Sequence, residues 1–239
     1  MGKRIIQQAR GKGGPRYRSP SFNYRGKASH RTQIKAPFIN GRVVDIIKCR
    51  GHSAPLALIG YDDGEFCLTI APEGIRIGQT VGYGADVEIS SGNSTQLGNL
   101  PEGTLVYNIE SKPGDGGKFC RASGSAAKIV SKLDNKITVM LPSKKKKVFD
   151  GGCRASIGIA AGGGRLEKPL LKAGNKHYKM KAKNKLYPIV SGSAMNAVDH
   201  PFGNARSSRK SKSKPISKNA PPGRKVGVVG ARRTGRRKK

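Results

Sequence analysis

An all-β protein with long basic, mostly irregular extensions at both ends is predicted by three features of the sequence. Short apolar runs rich in β-branched residues recur roughly every 8 to 12 residues between Ile39 and Ile159, cut by Asp62-Asp63-Gly64, Pro72-Glu73-Gly74 and Gly84, which is the spacing of a small barrel or sandwich. Gly (33) and Pro (14) are abundant among the 239 residues while 35% are hydrophobic, so one core running the whole length is not expected. Charge is also partitioned: residues 1–35 hold 10 basic and no acidic side chains, 36–164 hold 15 and 12, and 165–239 hold 22 and 2. The middle is the stretch balanced enough to fold by itself.

Taken in order, residues 1–35 form a basic extension in which glycine, proline and arginine are spaced by aromatics (Arg16-Tyr17-Arg18, Phe22, Tyr24-Arg25). They show neither helical nor strand periodicity and should not fold alone. Strands are expected at 42–47, 56–61, 66–71, 81–83 and 87–89, making a first five-stranded unit over 36–89. A second set, at 104–109, 126–133, 136–141, 145–149 and 154–159, makes another over 90–164, with the division near Ser90 to Gly92. Asp134-Asn135, between Ile129-Val130 and Ile137-Thr138-Val139, is the strongest hairpin signal. One twelve-stranded sandwich fits the same spacing. Past Gly162-Gly163-Gly164, residues 165–239 form the second extension. Gly174 and the scarcity of apolar side chains leave a helix over Lys168 to Lys185 little to pack against, so this stretch is expected to be mostly irregular.

Several classes are excluded. No run reaches the roughly 18 apolar residues of a membrane span, and Met1 to Arg10 lacks a secretory apolar core, so the chain reads as soluble and cytoplasmic, with no membrane partner. Ile6 stands where a myristoylation signal wants Ser or Thr, and Asn93-Ser94-Thr95 is a chance sequon in a chain that is not exported. Cys49, Cys67, Cys120 and Cys153 are separated by 17, 52 and 32 residues; that is no zinc pattern and no disulfide framework, and it predicts buried free thiols. His30, His52 and His177 form no ligand spacing, so no metal and no cofactor is expected.

The formal net charge of +33 calls for a polyanion, and nucleic acid rewards it through counterion release. Anionic membrane would also want a Leu/Phe/Trp-rich face, which neither extension has. RNA is favoured over DNA because aromatics among arginines (Tyr17, Phe22, Tyr24, Tyr178, Tyr187) can stack on unpaired bases, and glycine-rich polycations can thread between folded helices. The alternative is a DNA-compacting basic protein, though no groove-reading helix or dimerisation heptad is visible. Pro113-Gly114-Asp115-Gly116-Gly117-Lys118 is not a P-loop; it reads as a loop whose bare amides admit close approach of an anion, flanked by Lys118 and Arg121. Lys144 to Lys147 reads as solvated charge. Asp199-His200 invites a general-base reading, but no nucleophile motif accompanies it and no small-molecule substrate is implied. Candidate RNA contacts are Arg10, Arg16, Arg18 and Arg25 in the first extension, Lys118 and Arg121 at the loop, and Arg165, Lys172, Lys176, Asn196, Arg224, Lys225, Arg232, Arg233 and Arg236 in the second.

Gly192-Ser193-Ala194-Met195-Asn196-Ala197-Val198-Asp199-His200-Pro201-Phe202-Gly203, followed by Asn219-Ala220-Pro221-Pro222-Gly223-Arg224-Lys225-Val226-Gly227 and Arg232-Arg233-Thr234-Gly235-Arg236, closely resembles the universal large-subunit ribosomal protein number two family in its archaeal and eukaryotic form. Gln7 to Gly13, Arg18-Ser19-Pro20, Pro72-Glu73-Gly74, Pro113 to Gly124 and Cys153 to Gly164 carry the resemblance nearly end to end. It implies an OB-fold barrel followed by an SH3-like barrel, with both extensions buried in ribosomal RNA near the peptidyl-transferase region. It also implies neighbouring large-subunit proteins as partners, a part in subunit assembly and association and in tRNA placement, and catalysis by RNA rather than by this chain. On the resemblance Arg154 joins Arg121 as an RNA contact, and His200 is the tail histidine near the catalytic RNA. Where the family commonly has a glycine-rich run after Asp-His-Pro, this chain reads Asn204-Ala205-Arg206 and then Ser207 to Lys214, charge in place of flexibility.

Overall fold

The computed structural model describes residues 2–32, 38–204, 214–232 and 234. They fall into two compact units, one spanning 21–170 and the other made of 1–20 with 171–239.

The 21–170 unit holds all ten named strands: β1 (Phe38–Ile47), β2 (Leu56–Tyr61), β3 (Phe66–Ile70), β4 (Thr80–Gly84), β5 (Ser94–Gln96), β6 (Leu105–Tyr107), β7 (Ala127–Leu133), β8 (Lys136–Met140), β9 (Lys146–Asp150) and β10 (Arg154–Ile157). They join in one sheet of order β3-β2-β1-β4-β5-β10-β6-β7-β8-β9. Its pairs are antiparallel except β4 with β5, which meet in parallel through Tyr83 and Ser94. Four of the five strands expected first, β1 to β4, and the five expected second, β6 to β10, are therefore the two parts of one continuous sheet, joined through β5. The hairpin at Asp134-Asn135 is present, with Leu133 opposite Lys136.

One expected strand is absent. Residues 87–89 form a loop, and the fifth strand is the polar Ser94–Gln96. Asn93 explains the shift: its Oδ1 accepts from the Gly82 amide at 2.7 Å while its Nδ2 donates to the Glu88 carbonyl at 2.9 Å. The side chain thus pins the loop beneath β4 and hands the pairing edge to Ser94.

Period-2 burial makes the cores. In β8 Ile137 and Val139 point inward and in β7 Ala127 and Ile129 do; they meet Leu97, Val106, Ile109, Phe149 and Ile157 in the core of the second half. Val43, Ala57, Ile59, Tyr61, Val81 and Tyr83 form that of the first. A third cluster, Ala28, Cys49, Ala54, Leu56, Ile70, Tyr107 and Ala160, ties the halves together, with Tyr107 donating its hydroxyl to the Ile70 carbonyl at 3.2 Å. Each fully buried side chain of this size contributes about 1.5 to 3 kcal/mol. The four thiols are free, with Cys49, Cys67 and Cys153 buried and Cys120 half-buried, as the spacing predicts. Lys146 and Lys147 lie on β9, at the outer edge of the sheet. The Lys147 ammonium sits 4.0 Å from the Phe119 ring centroid, and lysines along an edge strand discourage pairing with another chain.

The other unit is built differently. It contains α1 (Ile6–Gly11) and α2 (Ala173–Lys181), both in stretches expected to be irregular. Gly174 sits in the first turn of α2, where amides lack intrahelical partners anyway, so its cost is small. Asn184 then ties the end of the helix to the Pro15–Arg18 segment. Among the described residues, the buried apolar side chains of this unit are Ile5 and Val226. Two do little against the roughly 1 to 2 kcal/mol of backbone entropy each ordered residue loses.

Candidate nucleic-acid interface

The glycine loop after β6 does bind an anion, and the anion is the protein's own. The Glu110 carboxylate, wholly buried, accepts from the amides of Gly116 at 2.9 Å, Gly114 at 3.2 Å and Arg154 at 2.9 Å. Asp115 takes the amides of Ser111 and Gly117 at 3.0 and 3.1 Å. The loop's donors are turned inward and spent, so the expectation that they meet an outside phosphate is corrected. Gly117 is required here: its φ is +100°, and a Cβ would stand 2.4 Å from Asn108 Oδ1.

Arg154 completes this knot. Its guanidinium, 3% exposed, donates to the Glu110 carboxylate, the Tyr83 hydroxyl and the Arg31 carbonyl. Burial by itself would raise the Glu110 carboxyl. The hydrogen bonds from the Arg154 side chain and from the amides of Arg154 and Gly116 outweigh it and hold the pKa below the ordinary range. Burial would lower Arg154, and the Glu110 hydrogen bond reverses that. Expected as an RNA contact, Arg154 is instead withdrawn from the surface: it is buried, and four of its five guanidinium N–H groups are spent on partners inside the protein.

The same knot captures the end of the first extension. His30 lies inside, its Nε2 2.6 Å from the Asn108 carbonyl. That acceptor fixes the proton on Nε2 and leaves Nδ1 bare, buried and without a partner. Burial, first, and the positive charge of Arg154 lower the His30 pKa to about 4 despite the helpful carbonyl, so the ring is neutral. Arg31, 3% exposed, pairs with Asp63 and Glu65 and lies over the Tyr61 ring at 5.0 Å. Residues 28–31 are thus a wedge shared by both halves of the sheet. Sequence reading missed His30, Arg31 and Glu110 as a group. The one signal available was an acid next to a glycine loop in a chain so short of acids.

The remaining candidates keep their charge available. Arg25, Lys118 and Arg165 are exposed, with Arg165 Nε donating to Ser123 Oγ at 2.7 Å. Arg121 is half-buried and aimed, donating to the Gly117 and Ala28 carbonyls at 2.8 and 2.6 Å. In the other unit Arg10, Arg16, Arg18, Lys172, Lys176, Asn196, Arg224, Lys225 and Arg232 are exposed. α2 shows no buried face: its residues are exposed or half-buried, with Lys176, Lys179 and Lys181 along it. Arg233 and Arg236, and the 205–213 part of the charged run, lie outside the described residues. His200 is half-buried, with Nδ1 accepting from the Phe202 amide at 3.0 Å. This places its hydrogen on Nε2. Its ring packs so closely on Gly192 that a Cβ there would fall 2.3 Å from it. The arrangement presents cations and a fixed N–H donor. Among the described residues no group of three or more His, Cys, Asp or Glu could hold a metal, and no helix is long and apolar enough to cross a membrane.

Comparisons with known proteins agree in kind. The family described as Ribosomal Proteins L2, C-terminal domain, matches residues 90–220. The large ribosomal subunit protein uL2 of Archaeoglobus fulgidus is 51% identical over 238 residues, covering 100% of both chains. That of Haloarcula marismortui is 49% identical over 236 residues, covering 99% of this chain and 98% of its own. That of Methanopyrus kandleri is 46% identical over 239 residues, covering 99% and 98%.

Proposed function

We propose, from the premise that this chain belongs to the L2 family of large-subunit ribosomal proteins, that it is a structural, non-enzymatic constituent of the large ribosomal subunit held there by ribosomal RNA. The observation that carries the RNA contact is the contrast between the two units. One closes two apolar cores and buries Arg31 and Arg154 against its own carboxylates; the other has, among its described residues, two buried apolar side chains and an exposed basic surface. A segment so short of internal cohesion gains order by neutralising an external polyanion, which it does with release of condensed counterions.

On this reading the two halves of the sheet correspond to an OB-fold barrel over 36–89 and an SH3-like barrel over 90–164. The extensions at 1–35 and 165–239 reach RNA near the peptidyl-transferase region, support subunit assembly and association, help place tRNA, and meet neighbouring large-subunit proteins. Arg10, Arg16, Arg18, Arg25, Lys118, Arg121, Arg165, Lys172, Lys176, Asn196, His200, Arg224, Lys225 and Arg232 contact RNA, together with Arg233 and Arg236. Arg154 and Glu110 hold Arg121's loop in place instead. The DNA-compacting alternative finds no support in the relatives, which are named as proteins of the large ribosomal subunit. The test is sedimentation of cell particles: the chain should travel with large-subunit RNA in stoichiometric amount through a high-salt gradient, be released by ribonuclease and resist deoxyribonuclease. Release by deoxyribonuclease alone would overturn the reading.

A further inference from the structure

The unit made of 1–20 with 171–239 contains a cavity of about 300 Å³ whose lining includes Arg16, Tyr17, His177, Asn184, Lys185 and Tyr187. That volume is at the lower end of small-ligand sites, roughly 300 to 1,000 Å³; it admits one flat ring system and excludes a double helix. Three aromatic rings on one cavity, with an arginine and a lysine beside them, select a ligand that is planar and anionic at once. Asn184 adds direction. Its Nδ2 donates to the carbonyls of Pro15 at 2.9 Å and Arg18 at 2.8 Å, two acceptors that settle which end of the amide is nitrogen. The group Asn184 has left to offer a ligand is therefore Oδ1, an acceptor. Its backbone, at φ +50°, is in the left-handed region that asparagine tolerates. The Lys176 ammonium lies 5.4 Å from the Tyr187 ring centroid, which keeps positive charge at the aromatic wall.

We infer that this cavity receives one unstacked nucleobase of the bound RNA: its ring enters among Tyr17, His177 and Tyr187, an N–H on its edge donates to Asn184 Oδ1, and its flanking phosphates meet Arg16 and Lys185. The inference rests on the RNA-binding reading and goes beyond it, since a basic surface that merely neutralises phosphates has no use for a ring-lined pocket. Every base carries an N–H donor on its Watson–Crick edge, and only an unpaired, unstacked base can bring that edge and its ring into the cavity together, so the site distinguishes unpaired from paired nucleotides.

The test compares hexa-adenylate with an abasic ribose-phosphate hexamer of equal phosphate number, bound to the full chain at one fixed salt concentration. Equal charge cancels the counterion contribution, and the ratio of the two affinities reads the base alone. Base–aromatic stacking typically changes affinity roughly 5- to 150-fold. Tyr17→Leu should cut the ratio about tenfold and His177→Leu should lower it too, while Tyr17→Phe, which keeps the ring, preserves it. Phe66→Leu, at a 66% exposed ring on β3 that has no part in the RNA-binding reading, should leave the ratio unchanged. None of these side chains belongs to the β cores, so folding of the sheet is not at stake. An unchanged ratio in Tyr17→Leu, or an equal fall in Phe66→Leu, overturns the pocket. Wild-type binding of both hexamers that does not weaken with added salt overturns the RNA-binding reading beneath it.

Discussion

Arg154→Met is the substitution that separates a structural arginine from an RNA-contacting one. It leaves the Glu110 carboxylate wholly buried and takes donors from the Tyr83 hydroxyl and the Arg31 carbonyl. Breaking a buried ion pair from one side costs about 3 to 5 kcal/mol. The amides of Gly114, Gly116 and Arg154 still solvate the carboxylate, which places the expected loss near the lower end, about 3 kcal/mol. In urea unfolding of the full chain followed by circular dichroism, that moves the midpoint down by roughly 1 M or more. With its partner gone, burial dominates and the Glu110 carboxyl rises above its unfolded value, so the deficit should shrink as pH falls toward that carboxyl's pKa. Removing both charges, as Arg154→Met with Glu110→Leu, should cost less than Arg154→Met alone. On RNA, the folded Arg154→Met protein should keep the wild-type slope of log affinity against log salt. Arg165→Gln, at an exposed position, should flatten it by roughly 0.7 to 0.9. A stability loss under about 1 kcal/mol, or a flattened slope in Arg154→Met, would refute the assignment of Arg154 to the interior.

Two further outcomes follow from the same knot. The unfolded chain protonates His30 from its ordinary 6.5 downward while the native ring waits until about 4, so stability falls as pH drops through that window, by about 3 kcal/mol in all. Denaturation of wild type and His30→Gln at stepped pH should show the wild-type slope missing in the variant. Gly117→Ala should destabilise strongly, by roughly 2 kcal/mol or more, because φ is +100° and the new Cβ meets Asn108. Gly114→Ala, at φ +84° with open space around it, should cost only the backbone strain, about 1 kcal/mol, as thermal melting would show.

The strands were legible where burial alternates strictly, as in Ile137 and Val139, because period 2 is written into side-chain chemistry. Ser94–Gln96 was not, since nothing apolar marks it; it is a strand because β10 and Tyr83 lie beside it. Val87 and Ile89 misled for the converse reason: β-branched residues without a partner strand remain loop. α2 was hidden because its anchor, Asn184 on Pro15 and Arg18, joins residues more than 160 positions apart. The exposed cations were readable from charge alone. The inward turn of the glycine loop was not, because the pairing of Glu110 with Arg154 spans 44 residues.

The wedge at residues 28–31 sets a timetable for biosynthesis. Arg31 is added to the growing chain 123 residues before the side chain that will grip its carbonyl exists. At 5 to 20 residues per second that interval lasts roughly 6 to 25 s. Throughout it the first 35 residues, with ten cations and no acid, have for partners only what the first half of the sheet supplies, Asp63 and Glu65 on Arg31 among them. A newborn segment of that charge attracts polyanions before the contacts that would order it are complete.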